Sequence, residues 1–149
     1  MGVFGSQVYL HSISAITATR GGNDPEVGDV RIEDGVHYRY IFNSGGSTIG
    51  VGYACTINQP SSTGYSATLS TAAQSPALGW CVNVAIPTVN YGWVAFKGRI
   101  PVVLGTTAAT GVALQIDANG VLAAAVTYPV VGSVATTITS TGYAAIFVP

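Results

Sequence analysis

Apolar and polar positions alternate in short runs along this chain, and a spacing of two belongs to strands with one face in a core and the other outside it. The clearest run is Val36-His37-Tyr38-Arg39-Tyr40-Ile41-Phe42. It follows Val27 to Ile32 across Glu33-Asp34-Gly35 and is closed off by Asn43-Ser44-Gly45-Gly46. Asp-Gly supplies the positive φ of a tight turn, so these residues predict a hairpin. A second hairpin is predicted from Val112-Ala113-Leu114-Gln115-Ile116, the turn Asp117-Ala118-Asn119-Gly120, and Val121-Leu122-Ala123-Ala124. Further short strands are expected at Tyr65 to Leu69, Gly79 to Ile86, Gly92 to Phe96, Ile100 to Leu104, Val130 to Ala135 and Tyr143 to Val148. Gly98, between Lys97 and Arg99, marks a bulge or a sharp bend.

Helix signals are nearly absent, because 19 glycines and 7 prolines punctuate runs rich in Val, Ile, Thr and Tyr. Ala72-Ala73, Ala108-Ala109 and Ala123-Ala124-Ala125 are short and flanked by Gly or Thr, leaving room for at most one brief helix. The first twenty residues alternate loosely through Val8, Leu10, Ile13 and Ile16 before Gly21-Gly22-Asn23-Asp24-Pro25 breaks the pattern. The expectation is an all-β, single-domain β-sandwich or barrel-like fold of short antiparallel strands. Residues 1–20 form an extended N-terminal arm or a first strand, and 21–149 the β domain.

A domain of 149 residues buries roughly 68–70% of its unfolded surface and needs no covalent staple. Charge changes the picture more. Charged residues make up 7% of the chain, against about 25% in an ordinary soluble domain, while mean hydropathy is +0.46. No segment reaches the ~18–20 apolar residues of a spanning helix, since Thr127, Pro129, Gly132 and Ser133 interrupt Val121 to Ala135. No membrane association is therefore expected. Met1-Gly2-Val3-Phe4-Gly5-Ser6 lacks the basic and long apolar regions of a secretion signal, so synthesis in the cytoplasm without export is expected. Five basic residues and a net charge of −1 give no field to attract nucleic acid.

Solubility ordinarily rests on a charged surface. Here Arg20, Asp24, Glu26, Asp29, Arg31, Glu33, Asp34 and Arg39 cluster, Lys97 and Arg99 form a second group, and Tyr40 to Phe96 carries no charge. Much of the exterior is expected to be covered in use. Cys55 and Cys81 show no metal or redox spacing, and in a reducing compartment two buried free thiols are favoured over a disulfide.

Catalytic arrangements find little support. Five of the six acids fall in one short segment, unlike carboxylates facing each other across a sugar. Asp24, Glu26 and Asp29 are split by Pro25 and no EF-hand pattern follows, so neither a metal nor another cofactor is expected. His11 and His37 lack a nucleophile elbow to serve, and Gly45-Gly46-Ser47 and Gly50-Val51-Gly52 lack the lysine and helix of a phosphate cradle. The chain reads as a non-enzyme. Trp80, Tyr91, Trp93 and Phe96 fit core packing, a protein interface, or stacking on a sugar ring, the last through Trp80 or Trp93.

Tyr91-Gly92-Trp93-Val94-Ala95-Phe96-Lys97-Gly98, then Gly111-Val112-Ala113-Leu114, Asn119-Gly120, Val131-Gly132-Ser133-Val134-Ala135 and Gly142-Tyr143-Ala144-Ala145-Ile146-Phe147-Val148 occur in an order that resembles small capsid decoration, or cement, proteins of tailed bacteriophages. Gly28-Asp29-Val30-Arg31-Ile32-Glu33-Asp34-Gly35-Val36-His37-Tyr38-Arg39-Tyr40 is similar to an earlier segment of the same proteins. The resemblance implies a structural virion protein on the outer face of the capsid. It further implies a homo-oligomer, commonly a trimer, that bridges neighbouring major capsid subunits. The contact residues expected are Val3, Phe4, Tyr9 and Leu10 of the arm, with Tyr53 and Tyr65 on the uncharged surface. The alternatives are a carbohydrate-binding or adhesin module of a phage fibre or surface protein, and a subunit of the tail or head-tail connector.

Overall fold

The computed structural model describes residues 12–22, 24–58, 64–70, 78–105, 109, 111–116, 120–124, 132–134 and 142–148. Among these residues there are ten strands and no α-helix: β1 (Val30–Glu33), β2 (Val36–Asn43), β3 (Ala54–Ile57), β4 (Ser66–Leu69), β5 (Leu78–Trp80), β6 (Tyr91–Leu104), β7 (Ala113–Ile116), β8 (Leu122–Ala124), β9 (Gly132–Val134) and β10 (Gly142–Val148).

The pairings close two rings. β2 pairs with β4, β4 with β3, β3 with β5, β5 with the first half of β6, and β6 back with β2. The second half of β6 pairs with β10, then β9, β7 and β8 follow in turn, and β8 returns to β6 at Leu104↔Leu122. The all-β, barrel-like expectation therefore holds, as two five-stranded barrels that share β6. The expected antiparallel pairing prevails too, with two exceptions. An odd-membered ring cannot alternate direction all the way round, and each has one parallel pair, β2–β4 and β6–β8.

Strand parity decides what each ring encloses. Ile41, Cys55, Ile57, Ala67 and Val94 fill the first barrel, and Ile49 and Ile86, joined by a β-bridge, pack with them. Five strands leave little room inside, so Gly79 and Gly92 also lie at inward positions. A Cβ on Gly92 would come within 2.8 Å of Ile16 and 2.9 Å of Ile86. Buried Asn43 fastens this end: its Nδ2 donates to the carbonyls of Ser47, Ile86 and Pro87 at 2.9–3.1 Å, and its Oδ1 accepts from Gly45 N at 3.0 Å. Ile100, Val102, Leu104, Leu114, Ile116, Leu122 and Ile146 line the second barrel. They form one cluster with Tyr38, Tyr40, Ala54, Trp80, Trp93 and Ala95 on the outer face of the first.

Both sequence hairpins are present. Glu33 pairs with Val36 across Asp34 (φ 50°) and Gly35 (φ 78°), and Ile116 pairs with Leu122 ahead of a left-handed Gly120 (φ 76°). Gly92 to Phe96 and Ile100 to Leu104 are not two strands but one of 14 residues. The kink expected at Gly98 is a bulge within it, because His37 faces Lys97 while Tyr38 faces Ala95, leaving Phe96 as the extra residue. Gly79 to Ile86 is regular strand only as far as Trp80; beyond it Cys81 Sγ donates to Val84 O at 2.7 Å in a turn. β3 had no sequence signal: Ala54 packs outward against the second barrel and Cys55 inward, so its alternation is between two cores. Ile13 and Ile16 pack on the two clusters and Thr17 bridges Tyr91, so residues 12–20 lie along the domain rather than projecting from it.

Two outcomes follow from this packing. Gly98 has φ +107°, and a Cβ there would stand 2.6 Å from the Gly35 carbonyl oxygen, whereas Gly35 itself has open space around its Cβ position. In chemical denaturation Gly35→Ala is expected to cost about 1 kcal/mol and Gly98→Ala roughly 3 kcal/mol. Equal losses would contradict the bulge.

Cys55 and Cys81 are free and buried. Burial, with Cys81 nearby, pushes the Cys55 thiol up to about 12, and burial pushes the Cys81 thiol up to about 11. Burial and then Asp24 push the Tyr40 phenol up to about 12. A raised acid is protonated in the folded state while the unfolded chain ionises. Stability is therefore full below the unfolded thiol value near pH ~8.5 and falls as pH rises toward the folded values. Cys55→Ala is expected to flatten this alkaline loss by about 1.4 kcal/mol per pH unit, read from urea midpoints. An unchanged slope would mean that the thiol is not buried.

Candidate docking surface

Among the described residues the first barrel is closed at one end and open at the other. Near Asn43, β2 is flanked by β4, whose pairing begins only at Phe42↔Ser66. Along the rest of that edge β1 takes its place, with Val30↔Arg39 and Ile32↔His37. The inner face of the barrel thus runs out onto a ledge. Cross-strand partners share a face, so His37, Arg39 and Ile41 look the same way as Val94, and Val30 and Ile32 extend that face outward.

At the mouth, the Arg39 guanidinium carbon lies 4.7 Å from the centre of the Tyr65 ring and 4.9 Å from that of Phe96. His37 meets Phe96 edge-on at 5.9 Å. Tyr65 reaches this place over Gly28 (φ +105°), where any Cβ would overlap its ring. Beside the stack, Val30 is 42% and Ile32 63% exposed. Among the described residues, Arg20 pairs with Glu26 at 2.7 Å and Arg31 with Glu33 at 2.6 Å on the opposite face of β1. Arg39 has no carboxylate partner among them, and its buried Nε has no hydrogen bond.

The second barrel presents a different surface. Its outward positions include Pro101 and Val103 on β6, Ala113 and Gln115 on β7, Ala123 on β8 and Ala145 on β10, paired across strands as Pro101↔Ala145 and Gln115↔Ala123. None is charged. Apart from Asp117, every charged residue of the chain falls within 20–39 or 97–99. The pairing His37↔Lys97 brings those two stretches together, so charge is confined to one region around β1, β2 and the bulge.

The residues singled out from the sequence separate. Tyr65 belongs to the mouth. Tyr53 is half-buried elsewhere, its ring against Gly50 and its carbonyl accepting from Cys81 N at 3.2 Å. Val3, Phe4, Tyr9 and Leu10 lie outside the described residues. Of the readings open for Trp80 and Trp93, core packing is the one observed and sugar stacking is not: at 1% and 3% exposure both sit in the layer between the barrels, Trp93 tilted on Tyr40 at 5.1 Å, and neither offers an indole face to a sugar. A depression of about 260 Å³ lined by Gly45, Gly46, Ser47, Thr68 and Leu69 carries no titratable side chain.

The mouth itself went unremarked in the sequence, although part of it was derivable. A two-residue turn at Asp34-Gly35 fixes Ile32 opposite His37 and Val30 opposite Arg39, which assembles four of its residues. Phe96 and Tyr65 depend on the bulge and on the late start of β4, and neither has a local signature.

No family model matches the chain, and no curated protein matches it. Among solved structures it is similar to the N base of the head fibre protein gp8.5 of bacteriophage phi29. The TM-score is 0.58 at 9% identity, covering 75% of this chain and 94% of that one. At that identity the likeness is one of fold.

Proposed function

We propose that this chain is a structural protein of a tailed-phage virion, a decoration or cement protein. It associates with copies of itself, binds the outer face of the head and stabilises contacts between major capsid subunits, with no catalytic role. The observation that carries the reading is the segregation of charge. An outer wall of Pro101, Val103, Ala113, Gln115, Ala123 and Ala145, with no ionised group, resembles a surface that neighbours cover more than one that water covers. Location on the head is supported by the likeness to a head-fibre base and by the order of motifs shared with decoration proteins.

The energetics suit repeated attachment. A specific interface buries more than about 1,000 Å², and an oligomer that engages several capsid subunits at once multiplies modest contacts through effective concentration. In this reading the second barrel supplies the contact between copies, and the charged side faces the head and solvent.

The test mixes the purified chain with undecorated, expanded heads and measures co-sedimentation and the temperature at which the heads open, alongside sedimentation equilibrium of the free protein. Saturable binding, a higher opening temperature and a defined oligomer are expected. Ala123→Glu, which places a charge on the wall, is expected to dissociate the oligomer. A monomer at high concentration that neither binds nor protects heads would remove the proposal.

A further inference from the structure

We infer that the mouth of the first barrel is the surface that grips the head, and that Arg39 takes a carboxylate flanked by apolar side chains on a capsid subunit. This rests on the function proposed above and names the chemistry of its contact.

The geometry of the stack dictates what Arg39 can still bind. The guanidinium carbon lies over the Tyr65 and Phe96 rings, within 5 Å of each centre, so their π faces hold the cation. The N–H groups of a guanidinium point outward in its plane, and a planar fork of donors matches a carboxylate held bidentately. Among the described residues that need is unmet, since Nε is buried without an acceptor and no carboxylate of theirs pairs with the group. An arginine held between aromatics, beside exposed Ile32 and Val30, has the composition of an interface hot spot. The apolar rim would exclude water around the ion pair and strengthen it.

Other occupants fit less well. A two-fold contact with a second copy would set Arg39 towards its own equivalent, charge against like charge. The acids of this chain are also largely engaged: Glu26 and Glu33 hold Arg20 and Arg31, and Asp24 and Asp29 accept backbone N–H groups from Gly21 and Glu26. A nucleic acid would meet the acids at 24–34 and two exposed aliphatic side chains, with a net charge of −1 to steer it.

The experiment uses the full chain and undecorated heads, with Arg39→Gln, Arg39→Lys and Ile32→Asp compared with wild type for head affinity, oligomeric state and thermal melting. Arg39→Gln and Ile32→Asp are each expected to weaken head binding about tenfold or more while the oligomer is unchanged. Arg39→Lys keeps the charge but loses the fork, and is expected to recover only part of the affinity. Raising NaCl from about 0.05 to about 0.5 M should weaken wild type more than Arg39→Gln. Should Arg39→Gln disturb the fold, Ile32→Asp decides alone, because a side chain 63% exposed is not part of the core. Variants that bind heads like wild type would overturn the inference and leave the function standing. Variants that fall apart into monomers would overturn it by making the mouth a contact between copies. Wild type that ignores heads would sink the function and the inference with it.

Discussion

A strand that passes from one closed barrel into another has to keep its apolar side chains in register with both interiors. β6 does so only because its side-chain phase slips by one residue. Before the slip Trp93 and Ala95 lie on the face turned toward the large cluster; after it Ile100, Val102 and Leu104 do. Unbroken alternation from Trp93 would have carried Lys97 and Arg99 onto that face, at the cost of burying two cations without partners. The extra residue at Phe96 avoids this, and Gly98 allows the backbone to pass against the Gly35 carbonyl. The hairpin turn, the bulge and the continuity of the core are therefore one device.

That device also sorts the charges. Lys97 and Arg99 emerge on the outside next to the β1–β2 hairpin, whose own ion pair, Arg31–Glu33, lies on the face that β1 shares with Tyr38 and Val36. Beyond Arg99, the described outward positions of the second barrel are Pro101, Val103, Ala113, Gln115, Ala123 and Ala145, and small side chains suit close approach of another flat surface. Low charge is thus not spread evenly over the molecule. It is concentrated where the proposed contacts between copies lie, and relieved around β1, β2 and the bulge.

Much of this architecture was written locally. Asp34-Gly35 and Gly120 marked both hairpins, and the run from Val36 to Phe42 alternated because Val36, Tyr38 and Tyr40 face the large cluster while His37 and Arg39 stand at the mouth on the other face. Gly98 announced a departure from regular strand without saying that the strand continued past it. The failures share a cause: they turned on partners distant in sequence. β3 has no polar face to betray it, being buried on both sides. The tryptophans looked like candidates for a surface because nothing local tells an aromatic layer between two barrels from one on an edge. Of the docking surface, the β1–β2 register was legible and the aromatic clamp on Arg39 was not, since Tyr65 and Phe96 lie 26 and 57 positions further along the chain.

The clamp links folding to binding in a way that a loop-borne site would not. Tyr65 packs partly against the first core and Phe96 is the bulged residue, so Arg39 is held by the same contacts that end the barrel. A long, flexible side chain ordinarily gives up rotamer freedom when it is captured by a partner. Here most of that freedom is already lost in the folded chain, and what is left for a partner is to supply an acceptor in the guanidinium plane. Because β1 rather than β4 lines this stretch of β2, the barrel stays open where the arginine stands. Closing the ring there would complete the core and shut Arg39 away from the partner proposed for it.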